Sequence, residues 1–232
     1  MKFEKRDRDF ILAHLQQMIS EDRWQKFHDI ISQRTRYITV ILEDIFQPHN
    51  ASAVIRTCEL MGIQDLHIIE NRNPYLVNRD IVVGSDKWIN IHKHNRHDQN
   101  TLSCFRQLKN KGFRIVATTP HKSDVLITEL PVDQKIALVL GNEGHGLSET
   151  ALKNADTFVK IPMYGFTESF NISVSAAICL YELTARLRNE TSGWQLSSEE
   201  KDLLLLDYAL KTIKNPRTFM RRMKMELENR LD

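Results

Sequence analysis

This chain is poor in the residues that staple or interrupt a fold. Among 232 residues there are only 3 cysteines, 6 prolines and 8 glycines. Cys58, Cys104 and Cys179 are scattered among apolar or helical neighbours, with no CxxC pair. That pattern excludes a disulfide scaffold and leaves reduced thiols in a cytoplasmic protein as the expectation. The scarcity of Gly and Pro excludes a long disordered linker. No run approaches the roughly 18 apolar residues of a membrane-spanning helix. The charged start, MKFEKRDRDF, has no apolar stretch behind it, so no signal peptide is expected. A charge excess is missing too: 32 basic against 30 acidic residues give a net charge of +2. Such a balance neither marks nor excludes a nucleic-acid partner, because a local patch matters more than a sum. There is also no GxGxxG fingerprint and no GK[ST]. The dinucleotide-binding and P-loop readings fail on their own signatures.

What is present is an ordinary soluble composition, 41% hydrophobic and 27% charged, with length for one good-sized core plus appendages. Residues 1–36 read as polar helices with no strand signal. From Tyr37 the pattern changes. YITVILEDI is a β-branched run of the kind covered on both faces, and NASAVIRTCELMG follows as a helix with Gly62 just past its end. DLHIIE, INIHKH, FRIVATT, KIALVLG and FVKIPM read as further strands. Residues 71–88 read as a long loop, and TLSCFRQLKNKG, SETALKNA and 171–188 as helices. Strands alternating with helices predict an α/β fold, a mostly parallel sheet with helices on both faces. After Asn189 the chain turns helical again. Ser198, with Glu199 and Glu200 behind it, reads as a helix start, and Pro216 divides two helices. The expected organisation is a helical extension at 1–36, an α/β domain at 37–189 and a second helical extension at 190–232.

Three segments carry polar residues where a buried element begins. In 46–57, FQPHNASAVIRT, Asn50 reads as a helix cap and Arg56 follows six residues on. In 138–148, LVLGNEGHGLS, a hydrophobic strand runs into a Gly-rich turn. In 161–182, IPMYGFTESFNISVSAAICLYE, Ser169, Asn171 and Ser173 precede a helix with no charge before Glu182. Each has an ordinary reading: a capping Asn with a surface Arg, a tight turn, a helix start with redundant caps. Each also has a functional one. Arg56 would be a fixed cation for a phosphate or a developing oxyanion, where its planar fork suits phosphate. The glycines would let backbone approach a flat ligand. The polar loop would be a site anchored on a rigid helix.

In order and spacing the three segments resemble the motifs of the SPOUT-class RNA 2′-O-methyltransferases, in particular the tRNA guanosine-2′-O-methyltransferase group. The resemblance covers 37 to about 188. It implies a C-terminal deep trefoil knot and S-adenosylmethionine as cofactor. Thr118, Leu140, Gly141, Gly146, Ile161, Phe170 and Asn171 would hold that cofactor, with Phe170 standing where relatives usually carry Leu. It implies a catalytic set of Arg56, Asn50, Ser169 and Glu143. Asn50 would hold backbone or ribose, Ser169 would bond the nucleophile or Arg56, and Glu143 would order the knot. It implies a homodimer whose sites are completed across the interface, and a reaction that requires no metal. His92, His94 and His97 sit among Lys and Arg at strand-plus-loop spacing and are expected to form a basic face.

The expected RNA face runs along Arg72, Arg79, Lys87, Lys93 and Arg96. It is joined by the C-terminal window from Lys211 to Lys224, which holds Arg217, Arg221 and Arg222 and no acidic residue. The substrate expectation is a D-loop guanosine, position 18, of tRNA. A 23S rRNA ribose methyltransferase and a non-catalytic RNA-binding module on the same fold are the alternatives.

Overall fold

The computed structural model describes residues 4–120 and 125–228. The outermost residues of both extensions, 1–3 and 229–232, lie outside the described residues. The chain divides into two compact units, Thr35–Trp194 and the pair Met1–Arg34 with Gln195–Asp232.

The larger unit is a seven-stranded sheet. Its strands are β1 (Ile38–Glu43), β2 (Asp65–Ile69), β3 (Asn90–His94), β4 (Arg114–Thr118), β5 (Val125–Leu126), β6 (Ile136–Leu140) and β7 (Thr157–Lys160). The order is β3-β2-β1-β6-β4-β7-β5, and every pair is parallel. β1 and β6 are buried at every position, as central strands covered on both faces require. Alternation along β1 separates two cores. Ile38, Val40 and Leu42 face Val54, Ile55 and Cys58 of α3 (Pro48–Leu60). The same core holds Ala176, Leu180, Leu183 and Leu187 of α7 (Ile172–Glu190). Ile41 points the other way, with Ala137 and Val139, towards α5 (Asn100–Asn110) and α6 (Glu149–Asn154). Fully burying each Leu or Ile stabilises by about 1.5–3 kcal/mol, which is why these helices hold their places.

Several local expectations are corrected. The segment 71–88 is not all loop: it holds a short helix, α4 (Arg79–Val82), capped by the Asn78 side chain, and a 3-10 turn at Ser85–Lys87. The expected strand FVKIPM ends at Lys160, and the two-residue β5 has no counterpart in the sequence reading. α3 starts at Pro48, so Asn50 lies inside the first turn and is not the cap. Gly62 does follow α3 with φ +80, the left-handed backbone a helix exit favours.

In the smaller unit, α1 (Lys5–Gln16), α2 (Glu21–Ser32), α8 (Ser198–Leu210) and α9 (Pro216–Glu228) bury one apolar side each. Phe27 meets Tyr208 edge-on at 6.0 Å. α8 begins at Ser198, where the sequence placed a helix start, and the residue before it caps the helix. Ser197 is the cap, because only it stands three residues before Glu200 and closes the reciprocal box. Among the described residues no helix is long and apolar enough to cross a membrane.

Candidate active site

The carboxyl ends of β4, β6 and β7, with Gln47 and Asn50 at the start of α3, open onto a cavity of about 610 Å³, the place where parallel sheets receive ligands. Thr118 ends β4 and Leu140 ends β6. Val159, Ile161, Met163 and Phe170 add apolar wall, and Gly141 to Leu147 add a rim of backbone. Of the residues singled out in the sequence, Asn50, Thr118, Leu140, Gly141, Glu143, Gly146, Ile161, Ser169, Phe170 and Asn171 all line this one cavity.

The rim is closely folded. Asn142 and Gly146 exchange two backbone hydrogen bonds of 2.9 and 2.8 Å. Gly146 has φ +67. A Cβ on Gly141 would lie 2.3 Å from the Gly146 carbonyl carbon and 2.4 Å from the Leu147 nitrogen. Only glycine fits there, since both obstacles are backbone.

A polar chain ties the three segments together. Glu143 accepts from the Phe46 and Gln47 N–H groups at 3.1 and 3.2 Å, and from Asn50 Nδ2 at 2.7 Å. Asn50 Nδ2 also donates to Gln47 Oε1, and Asn50 Oδ1 accepts from Asn171 Nδ2 at 3.2 Å. Asn171 Oδ1 in turn accepts from the Ser173 N–H and hydroxyl, so Asn171 caps α7. Both amide hydrogens of Asn50 are thus engaged within the protein. Its side chain is 2% exposed, which makes it a strut between segments rather than a free arm for ribose. Glu143, 93 residues from Asn50, holds the N–H groups of Phe46 and Gln47, the two residues that lead into α3.

Burial pushes the Glu143 carboxyl up, but bonds from Asn50, Phe46 and Gln47 outweigh it and hold the group below its ordinary range. Glu143→Ala is therefore expected to destabilise the fold by about 1 kcal/mol, the usual net worth of lost hydrogen bonds. Because the folded-state pKa is depressed, this contribution is present above the ordinary carboxylate range near about pH 4.3 and fades as pH falls through the folded value. Denaturant melts at neutral pH should separate wild type from variant. The gap should close in acid; a gap that persists unchanged in acid would show that the charge is not what holds the entry into α3.

Arg56 is placed differently. It is exposed on α3, two turns beyond Asn50, and is not part of the cavity lining. Arg72, Arg79, Lys87 and Arg96 are exposed, as are Arg217, Arg221 and Arg222 on α9. Lys93 lies 3.4 Å from Glu70 and over the Tyr75 ring. The C-terminal window is less free of neutralising acid than its own residues suggest. Lys211 pairs with Asp207 and Arg222 with Glu226, each four residues away along a helix. Sequence reasoning passed over Gln47, Asn142, His145 and Ser175, which also line the cavity. Asn142 carried a signal: its Oδ1 accepts from the Gly144 and His145 N–H groups, the role Asn often plays in a Gly-rich turn.

Residues 37–181 match the model of the SpoU rRNA Methylase family. The chain is 41% identical over 201 residues to the tRNA (guanosine(18)-2′-O)-methyltransferase of Borreliella burgdorferi, spanning 87% of this chain and 90% of the relative. It is 32% identical to the enzyme of that description from Aquifex aeolicus, over 86% of this chain and 94% of the relative. Among solved structures, the A. aeolicus TrmH/SpoU tRNA modifying enzyme superposes with a TM-score of 0.74 at 32% identity, covering 84% of this chain and 98% of that one.

Proposed function

This chain belongs to the SpoU rRNA methylase family, and from that premise we propose that it methylates the ribose 2′-oxygen of guanosine 18 in tRNA, with S-adenosylmethionine as the donor. The observation that carries the reading is the single cavity into which all three motif segments converge. Its volume suits a nucleoside-sized ligand. Its apolar wall at Leu140, Ile161 and Phe170 suits an adenine, and its backbone rim suits a ligand's polar edges. The catalytic domain is 37–189, with helical extensions at 1–36 and 190–232, and the SPOUT trefoil knot is part of the reading.

S-adenosylmethionine, when bound, supplies an electrophilic methyl group. The protein's task is then positioning, and a route for the proton that leaves the 2′-hydroxyl as the oxygen–carbon bond forms and the sulfur–carbon bond breaks. Arg56 is not the base, since a guanidinium keeps its protons in proteins. It stabilises the developing alkoxide and holds the adjacent phosphate, which relays the proton to solvent. Ser169, exposed at the cavity rim, bonds the attacking hydroxyl. Asn171 orients the amino-acid end of the cofactor. Asn50 and Glu143 keep α3 in place against the rim. Metal is not required for this chemistry.

The protein works as a homodimer in the cytoplasm. What supports the dimer is the outward side of α3 and α7: Arg56 stands exposed outside its own chain's cavity, and Val174 and Tyr181 are 44% and 67% exposed. A second copy covering that side would bury them and bring an Arg56 to a cofactor site. Arg72, Arg79, Lys87, Arg217, Arg221 and Arg222 contact tRNA phosphates.

The test is methyl transfer by the full-length protein to unmodified tRNA, followed by mass mapping of the ribose methyl. One 2′-O-methylguanosine at position 18 is expected. No methyl on tRNA, together with no cofactor heat up to about millimolar, weaker than roughly −4 kcal/mol, would overturn it.

A further inference from the structure

Away from the cavity, β2, β3 and α5 bring two imidazoles and a thiol to one point. In the parallel register His67 stands opposite His92, and Ile69 opposite His94. With a period of two, His67, His92 and His94 share the side of the sheet that α5 covers with Cys104 and Phe105. His67 Nδ1 lies 2.9 Å from His94 Nε2. These two nitrogens and the Cys104 sulfur all lie within 4.8 Å of one another. His67 is 6% exposed and Cys104 0%. None of the three lines the cofactor cavity.

We propose that His67, His94 and Cys104 bind one zinc ion, or a similar borderline divalent cation, as a structural site separate from methyl transfer. Two imidazoles and a thiolate are the donors zinc prefers, at about 2.0–2.1 Å for nitrogen and 2.3 Å for sulfur. A tetrahedral ion would need the two nitrogens to part by only a few tenths of an ångström. Water takes the fourth position on the half-buried His94 side. His92 is not a ligand: its Nε2 bonds Asp65 Oδ1 at 3.0 Å, and its ring stacks on His67 at 4.7 Å, fixing that ring's plane. Burial holds both His67 and His94 in the neutral form a metal needs. Burial beside Glu43 pushes the Cys104 thiol up to about 12, so loading the metal releases the thiol proton to solvent.

The placement gives the ion a task. β3 is the edge strand, and in NIHKH only Ile91 is apolar, itself partly buried. Beyond its ladder to β2, this strand is held by the partly buried Ile91 and by polar contacts of Asn90, His92 and Lys93. A metal joining His94 to Cys104 would fasten it to α5 as well.

The test uses metal-stripped, untagged full-length protein titrated with cobalt(II). One equivalent should bind with the charge-transfer absorption of a thiolate–cobalt bond and the ligand-field bands of four-coordination, and zinc should displace it. Cys104→Ser should abolish the charge-transfer band. His94→Ala, at a half-buried position that does not threaten the fold, should weaken affinity at least about tenfold. Cys58→Ala with Cys179→Ala should keep the band, since both thiols lie in the opposite core. Absence of the band at one equivalent, its survival in Cys104→Ser, or unchanged affinity in His94→Ala would each overturn the site. In that case His67 and His94 are simply a neutral hydrogen-bonded pair. None of these readouts depends on methyl transfer.

Discussion

Arg56→Ala is expected to slow single-turnover methyl transfer to tRNA by about 10²–10³-fold, the usual cost of removing one electrostatic group from a transition state. S-adenosylmethionine affinity should stay within a few-fold of wild type, because Arg56 does not line the cofactor cavity. Stability should not change either, since the side chain is exposed and caps nothing. Arg56→Lys sharpens the result. It keeps the charge but loses the two-pronged grip on phosphate, so it should recover only part of the lost rate. The measurement is transfer of labelled methyl with enzyme in excess over tRNA. A rate within a few-fold of wild type would mean that Arg56 is an ordinary surface cation, and the alkoxide would need another partner.

If the dimer supplies Arg56 in trans, a second result follows from the same variant. Mixing Arg56→Ala chains with chains disabled in the cofactor rim should restore a fraction of the activity through mixed dimers. Both defects would then fall in one site of the mixed dimer, leaving the other site intact. Chains that use their own Arg56 would not complement.

The parts of this fold that are legible in the sequence are those decided locally. β6 is an unbroken apolar run and β1 a largely apolar, β-branched one, so their burial on both faces could be read directly. α7 lacks charge for its first two turns and more, and it is the helix most embedded in the core beside α3. The misreadings are equally local in cause. Asn50 has the side chain of a cap and stands near a Pro, yet the Pro itself begins the helix and the residues leading into it are held by Glu143. A partner so distant in sequence leaves no trace in a short window. The helix start at Ser198 was read correctly, and its cap, Ser197, was readable too, because the reciprocal box needs Glu three residues on and only Ser197 meets Glu200. The histidines show the same limit. The run of His92, His94 and His97 draws the eye along one strand, whereas the neighbour that matters to His94 is His67, one strand across. Register, not spacing, brings those two together, and register belongs to the assembled sheet.

Gly141→Ala is the second large effect expected. An alanine Cβ at this position would stand 2.3 Å from the Gly146 carbonyl carbon, 2.4 Å from the Leu147 nitrogen and 2.5 Å from the Gly146 oxygen. All three are backbone atoms, so no side-chain rotation relieves the contact and the rim itself must open. That breaks the paired hydrogen bonds between Asn142 and Gly146 and displaces Glu143, on which the start of α3 depends. Forcing such a group into packed backbone costs about 1–3 kcal/mol. Because the strained segment is the cofactor rim, the cost should fall on ligand binding. S-adenosylmethionine affinity measured by calorimetry should drop by about 10²-fold, equivalent to roughly 2.7 kcal/mol. The β1–β6 centre of the sheet lies behind the rim and should keep its circular dichroism. Gly144→Ala is the matched control, since its added Cβ would meet only the Asn142 Oδ1 atom at an ordinary 3.5 Å. Gly144→Ala should bind nearly as wild type. Equal cofactor affinity in the two variants would mean that the closeness of Gly141 to Gly146 serves the turn alone, and that the cofactor is held by the apolar wall without help from this backbone.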